Sequence, residues 1–321
     1  MLPILIIYTG GTIGMQPSEQ GYLPSDGIQA LIKDSLNAKQ YAALAPFSVH
    51  EFEYLIDSSN AQPSDWLNIA ECITENYRDF SAFIVLHGTD TMAYTASALH
   101  HILGDRIKPV IVTGSQIPLC EARSDAITNL LDAALFARNA NTHQVSLSFA
   151  GKLLAAYSAT KVNSSALAAF DSPNKTPMAT ANIQLELGDC NNESSLQTTD
   201  FCNFNLPSIT ANSVAVLFLY PGISNEVIDA TLLNKNSKAV VMLSYGAGNP
   251  PDQNQYLISA LHEARKRGIV VVNKTQCHAG AVAQGSYAVG SILNELGVIS
   301  AQDRTLEDLI TDLYINFQRY T

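Results

Sequence analysis

Ala82-Phe83-Ile84-Val85-Leu86-His87-Gly88-Thr89-Asp90-Thr91-Met92-Ala93-Tyr94 decides how this chain folds. Its first five residues are an unbroken apolar run, the pattern of a strand buried on both faces, and a helix is expected from Ala93 to Leu103. The succession then repeats. Pro109-Val110-Ile111-Val112-Thr113 reads as a strand and Asp125 to Ala137 as a helix. Strand, helix, strand, helix predicts a parallel sheet in an α/β domain.

Toward the amino terminus, Ile4-Leu5-Ile6-Ile7-Tyr8-Thr9-Gly10-Gly11-Thr12 is another buried strand ending in a glycine-flanked threonine, as Phe83 to Leu86 leads into Gly88-Thr89-Asp90. A β-hydroxyl at the carboxyl end of such a strand points into the crevice where open α/β sheets bind small molecules. Two of them predict one shared site. Between them, His50 to Ile56 reads as a strand and Trp66 to Tyr77 as a helix capped by Ser64 or Asp65.

Toward the carboxyl terminus, Asp171 to Asn212 is rich in Pro, Asn, Ser and Thr, and Asn191-Asn192-Glu193-Ser194-Ser195 is its most polar part. Beyond it Val214 to Leu219, Ala239 to Leu243 and Ile269 to Val272 read as strands, with helices at Asn225 to Leu233, Gln255 to Arg267 and Leu306 to Phe317. The expectation is a larger α/β domain over 1–185 with a mostly parallel sheet, a linker over 186–212 and a smaller α/β domain over 213–321. A chain of 321 residues exceeds the roughly 250–300 at which one core stops growing.

Hydrophobic residues at 47% and charged residues at 15% suit a compact enzyme with a buried site and exclude a disordered scaffold. A net charge of −11 argues against a nucleic-acid partner, because phosphate binding needs a basic stripe. No apolar stretch approaches the roughly 18 residues of a membrane span, and the amino-terminal residues carry no signal-peptide pattern. Cys72, Cys120, Cys190, Cys202 and Cys277 are odd in number and contain no Cys-x-x-Cys pair, so neither a zinc site nor a disulfide framework is indicated. A reducing cytoplasm fits.

Thr9-Gly10-Gly11-Thr12-Ile13-Gly14 lacks the Gly-Lys-[Ser/Thr] of a phosphate loop and the Gly-x-Gly-x-x-Gly of a dinucleotide fold. It reads either as a tight turn or as a close backbone approach to a ligand. Met15 to Gly27, polar and carrying Tyr22, has the composition of a mobile lid, which a plain surface hairpin shares. Asp90 either caps the helix that follows or brings a negative charge to the crevice, for a substrate ammonium or a lysine. His87 is expected to be a packed, hydrogen-bonded neighbour. Asp57-Ser58-Ser59 follows another strand end and offers donors to a carboxylate, although Asx and Ser turns have the same sequence. Lys161 is either a solvated cation or, buried beside a hydroxyl, a proton acceptor.

Together, Tyr8-Thr9-Gly10-Gly11-Thr12-Ile13-Gly14 and Leu86 to Tyr94, with Val112-Thr113-Gly114-Ser115-Gln116-Ile117-Pro118, Tyr220-Pro221-Gly222 and Ser244-Tyr245-Gly246-x-Gly248-Asn249, resemble the bacterial-type L-asparaginases, and within them the cytoplasmic type I enzymes. The resemblance covers nearly the whole chain. It implies hydrolysis of L-asparagine to L-aspartate and ammonia through an acyl-enzyme, with no metal and no organic cofactor. By position Thr12 matches the nucleophile and Tyr22 the lid tyrosine that activates or orients it. Thr89, Lys161 and Asp90 match a second hydroxyl, base and acid, following the logic of a catalytic triad. Asp57, Ser58, Ser59 and Ser115 join Thr89 and Asp90 as the implied substrate-binding residues. The family also implies a homo-oligomer, a dimer or a dimer of dimers.

One departure stands out. Some type I enzymes have a basic residue before Ser-Tyr-Gly that takes part in a second, regulatory asparagine site, and this chain has Leu243 there. Thr160, Thr275, Gln276 and Cys277 match the rest of that region. The departure argues against effector binding of the same kind and makes Cys277 either a remnant or a buried small side chain. The neighbouring reading is a mixed asparaginase and glutaminase, since one methylene is worth only about 1–3 kcal/mol of discrimination. A non-catalytic amino-acid sensor is disfavoured by the presence of Thr12, Thr89 and Lys161.

Overall fold

Every residue of the first strand, Ile4 to Gly10, is buried, because the strand lies inside a sheet covered on both faces. A computed structural model describes residues 2–19, 21–105, 107–139, 142–188, 206–284 and 288–321. They divide into two units, Met1–Pro207 and Ser208–Thr321. The polar stretch 191–195, with Cys190 and Cys202, lies outside the described residues.

The first unit runs β1 (Ile4–Gly10), β2 (Met15–Ser18), β3 (Gly21–Pro24), α1 (Ile28–Ser35), α2 (Ala38–Leu44), β4 (Phe47–Ile56), α3 (Pro63–Glu75), β5 (Ala82–Leu86), α4 (Met92–Leu103), β6 (Val110–Thr113) and α5 (Ala126–Asn139). It continues through β7 (Val145–Phe149), β8 (Lys152–Ala155), β9 (Thr160–Lys161), β10 (Phe170–Asp171), β11 (Ala179–Ala181) and β12 (Leu185–Leu187). One eight-stranded sheet has the order β12-β11-β8-β7-β6-β5-β1-β4. The five strands β4, β1, β5, β6 and β7 are parallel, and β8, β11 and β12 follow antiparallel.

Alternation along β1 divides the core. Leu5 and Ile7 join Ile69, Ala96 and Leu99 from α3 and α4 on one face, while Ile4, Ile6 and Tyr8 join Ile28, Ile32, Leu130 and Ala133 from α1 and α5 on the other. From β1 the chain crosses to β4 on one side, then returns to β5 on the opposite side. The carboxyl ends of β1 and β5 therefore flank the point where strand order reverses, and that is where an open α/β sheet leaves a crevice.

Several local expectations change. The helix expected at Trp66 begins at Pro63, whose fixed φ suits a first helical position, and Gln62 occupies the cap. Asp65 works from the third helical position instead, accepting the Gln62 backbone N–H at 2.7 Å. The segment expected to be a lid forms an antiparallel ribbon, with Pro17 opposite Tyr22. The linker expected to start at 186 begins on β12, which pairs with β11; residues 189–205 of it are outside the described set.

The second unit runs β13 (Val214–Phe218), α6 (Asn225–Leu232), β14 (Ala239–Ser244), α7 (Gln255–Lys266), β15 (Val270–Thr275), α8 (Ala288–Glu295), β16 (Ile299–Ser300) and α9 (Leu306–Ile315). Its four strands are parallel in chain order. Ile228, Leu257 and Leu261 of α6 and α7 cover one face, and Leu309 and Leu313 of α9 cover the other. No helix among the described residues is long and apolar enough to cross a membrane.

Candidate active site

The loops after β1 and β5 touch backbone to backbone. Gly11 has φ +86°, and a Cβ there would lie 2.3 Å from the Gly88 nitrogen. Gly88 in turn lies so close to Ser58 that a Cβ would come within 2.4 Å of its hydroxyl. Glycine is required at both positions because backbone and a buried serine occupy the space of a side chain. This contact brings Thr12, Ser58 and Thr89 from the ends of β1, β4 and β5 into one neighbourhood.

Thr89 is buried and its hydroxyl has two partners. Lys161 Nζ lies 3.0 Å from Thr89 Oγ1, and Thr89 Oγ1 lies 3.1 Å from Gln116 Oε1. Lys161 also reaches Asp90 Oδ1 at 2.7 Å, forming an ion pair at the mouth of the site. An ammonium only donates, so Thr89 accepts from Lys161 and sends its own proton to Gln116. The Gln116 amide is oriented for this, since its Nε2 donates to Ala166 O at 3.1 Å. Lys161 is thus a hydrogen-bond donor to Thr89 here, and the sequence left it as either a solvated cation or a proton acceptor.

Beneath this group, Asp125 at the start of α5 accepts the backbone N–H groups of Gln116 and Ile117, each at 3.0 Å. Ser115 is fully buried and donates to Ile117 O at 2.7 Å, so the hydroxyl expected to bind substrate is engaged inside the turn. Ser58 accepts from the Asp90 N–H at 3.3 Å, which leaves its own proton to donate. The exposed Asp57 carboxylate accepts from the Ser59 N–H at 3.2 Å, closing an Asx-type turn.

His87 is wholly buried, with Nδ1 2.8 Å from Gly88 O and Nε2 3.0 Å from Thr95 Oγ1. A carbonyl only accepts, so the proton sits on Nδ1 and Thr95 donates to Nε2. Burial lowers the pKa of this imidazole, against the opposing pull of Gly88. It is the packed neighbour expected of it.

Tyr22 engages a partner that the sequence does not name. Among the described residues no hydrogen bond joins it to Thr12; its hydroxyl donates to Glu121 Oε1 instead. That bond raises the phenol pKa, with the Glu121 charge adding to it. Gln116 and Glu121 are both missed by sequence reasoning. Gln116 carries the strand-end signal that marked Ser115 beside it, whereas Glu121 meets Tyr22 across 99 positions and has no local signature.

In the first unit Thr160 pairs with Asp171 between β9 and β10. In the second, Leu243 is buried among Val241, Val272 and Leu309 as a core residue. Thr275 donates to Gly246 O at 2.5 Å and accepts the Cys277 N–H at 3.0 Å. Gln276 ties the ends of β13 and β14 by donating to Leu219 O at 2.6 Å and Leu243 O at 2.9 Å. Cys277 is an exposed free thiol, which sets aside the buried small side chain of its two readings, because it falls in the turn just beyond β15. No group of three or more His, Cys, Asp or Glu among the described residues is placed to hold a metal ion.

Residues 3–191 match the asparaginase N-terminal model and residues 213–320 the glutaminase/asparaginase C-terminal model. The chain belongs to the asparaginase family. It is 43% identical to L-asparaginase 1 of Escherichia coli over 315 residues, which is 97% of this chain and 90% of that relative. The crystal structure of L-asparaginase I from Vibrio cholerae superposes with a TM-score of 0.87 at 40% identity, covering 100% of this chain and 94% of that one. The thermostable L-asparaginase from Thermococcus kodakarensis follows at 0.82 and 29%, covering 98% and 92%. The family's two-part organisation, a large α/β domain with a mostly parallel sheet and a smaller one, is that of this chain.

Proposed function

We propose that this chain hydrolyses L-asparagine to L-aspartate and ammonia through a threonine-linked acyl-enzyme. The observation that carries the reading is the Thr89, Lys161 and Asp90 arrangement set directly beside the turn that bears Thr12. Thr12 Oγ1 attacks the side-chain amide carbon, the C–N bond breaks, and ammonia leaves an ester on Thr12. Water then cleaves that ester, with Thr89 and Lys161 guiding its proton. Backbone N–H groups of the two glycine-rich turns face the developing oxyanion, a type of donor worth on the order of 10²–10³ in rate. Asp90 holds the substrate ammonium, and Ser58 donates its free proton to the α-carboxylate.

A coupled ammonia assay over an asparagine series, with glutamine in parallel, tests the activity and reads the mixed-amide alternative. Turnover retained by Thr12→Ala would remove Thr12 as nucleophile. With Leu243 in the core, the asparagine curve is expected to be hyperbolic; a sigmoid curve would reinstate a regulatory site. A cytoplasmic location is supported by the free thiols of Cys72, Cys120 and Cys277. The homo-oligomer implied by the family is measured by light scattering.

A further inference from the structure

We propose that Thr91 is a positioning residue that fixes the gap between the two holders of the amino-acid head, Asp90 for the ammonium and Ser58 for the carboxylate. It thereby sets how tightly asparagine is held. This rests on the roles of Asp90 and Ser58 in asparagine hydrolysis.

Thr91 breaks a local rule. It occupies the cap position of α4, where a threonine hydroxyl ordinarily folds back to accept a backbone N–H of the first helical turn, and among the described residues it makes no such bond. Its Oγ1 instead donates to Ser58 O at 2.7 Å, across 33 positions of sequence. The helix forgoes a side-chain cap, and the loop after β4 gains a tie; a broken local preference of this kind is expected at a functional site.

That loop is otherwise weakly held. β4 is the last strand of its sheet, pairs among the described residues with β1 alone, and slips in register between Tyr8 and Gly10 as the two strands end. The chain then makes a single 3₁₀ turn at Ser58–Asn60, closed by the Asn60 N–H on Asp57 O at 2.8 Å and the Ala61 N–H on Ser58 O at 3.3 Å. Both bonds lie inside the turn, so they shape it without fastening it to the site. Thr91, at the end of β5, reaches the turn from the far side of β1. Beside it the Asp90 N–H donates to Ser58 Oγ at 3.3 Å, and the Ser58 side chain fills the space over Gly88. Adjacent residues thus grip the backbone and the side chain of one serine.

An α-amino acid carries its ammonium and carboxylate on one carbon, so the two holders must stand at one separation. With the Thr91 bond in place, Ser58 rides on the same strand-to-helix junction that carries the Asp90 carboxylate. Without it, Ser58 follows the end of an edge strand, and the Asp90 N–H contact that remains is longer than an ordinary hydrogen bond. The reacting amide is at the other end of the substrate, beside Thr12 and Thr89. A misplaced Ser58 therefore weakens ground state and transition state alike, which raises KM and spares kcat.

The test measures kcat and KM for L-asparagine in the wild-type protein, Thr91→Val, Thr91→Ala, Thr91→Ser, Ser58→Ala and the double variant Thr91→Val/Ser58→Ala, with a urea midpoint to show that each is folded. Valine and alanine both remove the donor while Ser58 O keeps the Ala61 N–H, and a folded variant of either kind suffices. Each is expected to raise KM about tenfold, the low end for a hydrogen bond to a charged group, with kcat within about threefold of wild type. Thr91→Ser keeps the hydroxyl and should hold KM within about threefold. In the Ser58→Ala background the loss of Thr91 should raise KM no further, because Thr91 acts through Ser58. A wild-type KM in Thr91→Val or Thr91→Ala, an equal rise in Thr91→Ser, a loss carried by kcat, or rises that multiply in the double variant would each overturn the proposal. A wild-type KM in Ser58→Ala, or a wild-type protein inert toward asparagine, would instead overturn the reading on which it rests.

Discussion

Lys161 Nζ lies 3.0 Å from Thr89 Oγ1 across 72 positions of sequence, and it holds that hydroxyl while its charge is balanced by Asp90. Lys161→Met leaves Thr89 with Gln116 as its partner and strips Asp90 of its cation. We expect kcat to fall by about 10²–10⁴ in Lys161→Met and in Thr89→Val, the range of a lost acid–base group. Lys161→Arg should rescue little, since a planar fork cannot take the place of a compact ammonium. Single-turnover ammonia release measures this, and a Lys161→Met enzyme within threefold of wild type would remove Lys161 from the mechanism.

Gly11→Ala tests the contact between the two strand-end turns. Its Cβ would lie 2.3 Å from the Gly88 nitrogen in a backbone held at φ +86°. The left-handed φ alone costs about 1–3 kcal/mol, and the clash forces the turns apart. The expected result is a lowered urea midpoint together with lost turnover. Unchanged kcat in a folded Gly11→Ala protein would show that the threonines tolerate separation.

His87 makes stability depend on pH. Its folded pKa is depressed by burial below the ordinary 6.5, so the unfolded chain binds the proton more readily. The stabilisation is complete above pH 6.5 and is lost as pH falls from there toward the folded pKa, at about 1.4 kcal/mol per unit while one proton separates the states. His87→Gln should flatten that part of the profile for the first unit. Denaturant midpoints at pH 8 and pH 5 measure it, and an equal acid loss in both proteins would assign the effect elsewhere.

Arg304 organises the carboxyl-terminal part of the second unit. It donates from Nε to Asp308 Oδ2 at 2.5 Å, from Nη2 to Asp312 Oδ2 at 2.8 Å and from Nη1 to Tyr320 Oη at 2.7 Å. Burial alone would loosen its proton, but the Asp308 bond and the nearby charges outweigh that and hold its affinity above the arginine norm. Arg304→Met leaves two buried carboxylates without their guanidinium, a change expected to cost about 3–5 kcal/mol. Denaturation of the full chain checks the figure. Wild-type stability in Arg304→Met would mean that water replaces the cation.

The strands were legible because their signal is local. Ala82 to Leu86 appears where its unbroken apolar run places it, and the parallel pairing of β1, β5 and β6 follows from strand and helix alternating along the chain. The α3 start was misplaced because a proline and a glutamine, not the serine or aspartate sought, open that helix. In the site, Thr89, Asp90 and Lys161 meet as their motifs implied. Ser115 did not, because its hydroxyl closes a turn whose shape a linear pattern does not carry. Gln116 and Glu121 depend on where loops fold back, and Cys277 on a strand ending two residues earlier.

The crossing of Gly11 over Gly88 has a consequence for how this protein can change over generations. Any single mutation that gives either position a side chain meets an atom that cannot step aside, main chain in one case and a buried serine in the other. Neighbouring replacements cannot open the gap without prising β1 from β5, at the centre of the sheet. The spacing of the two threonines is therefore inherited as one unit, and variation in substrate choice is channelled into the ribbon and loops around it.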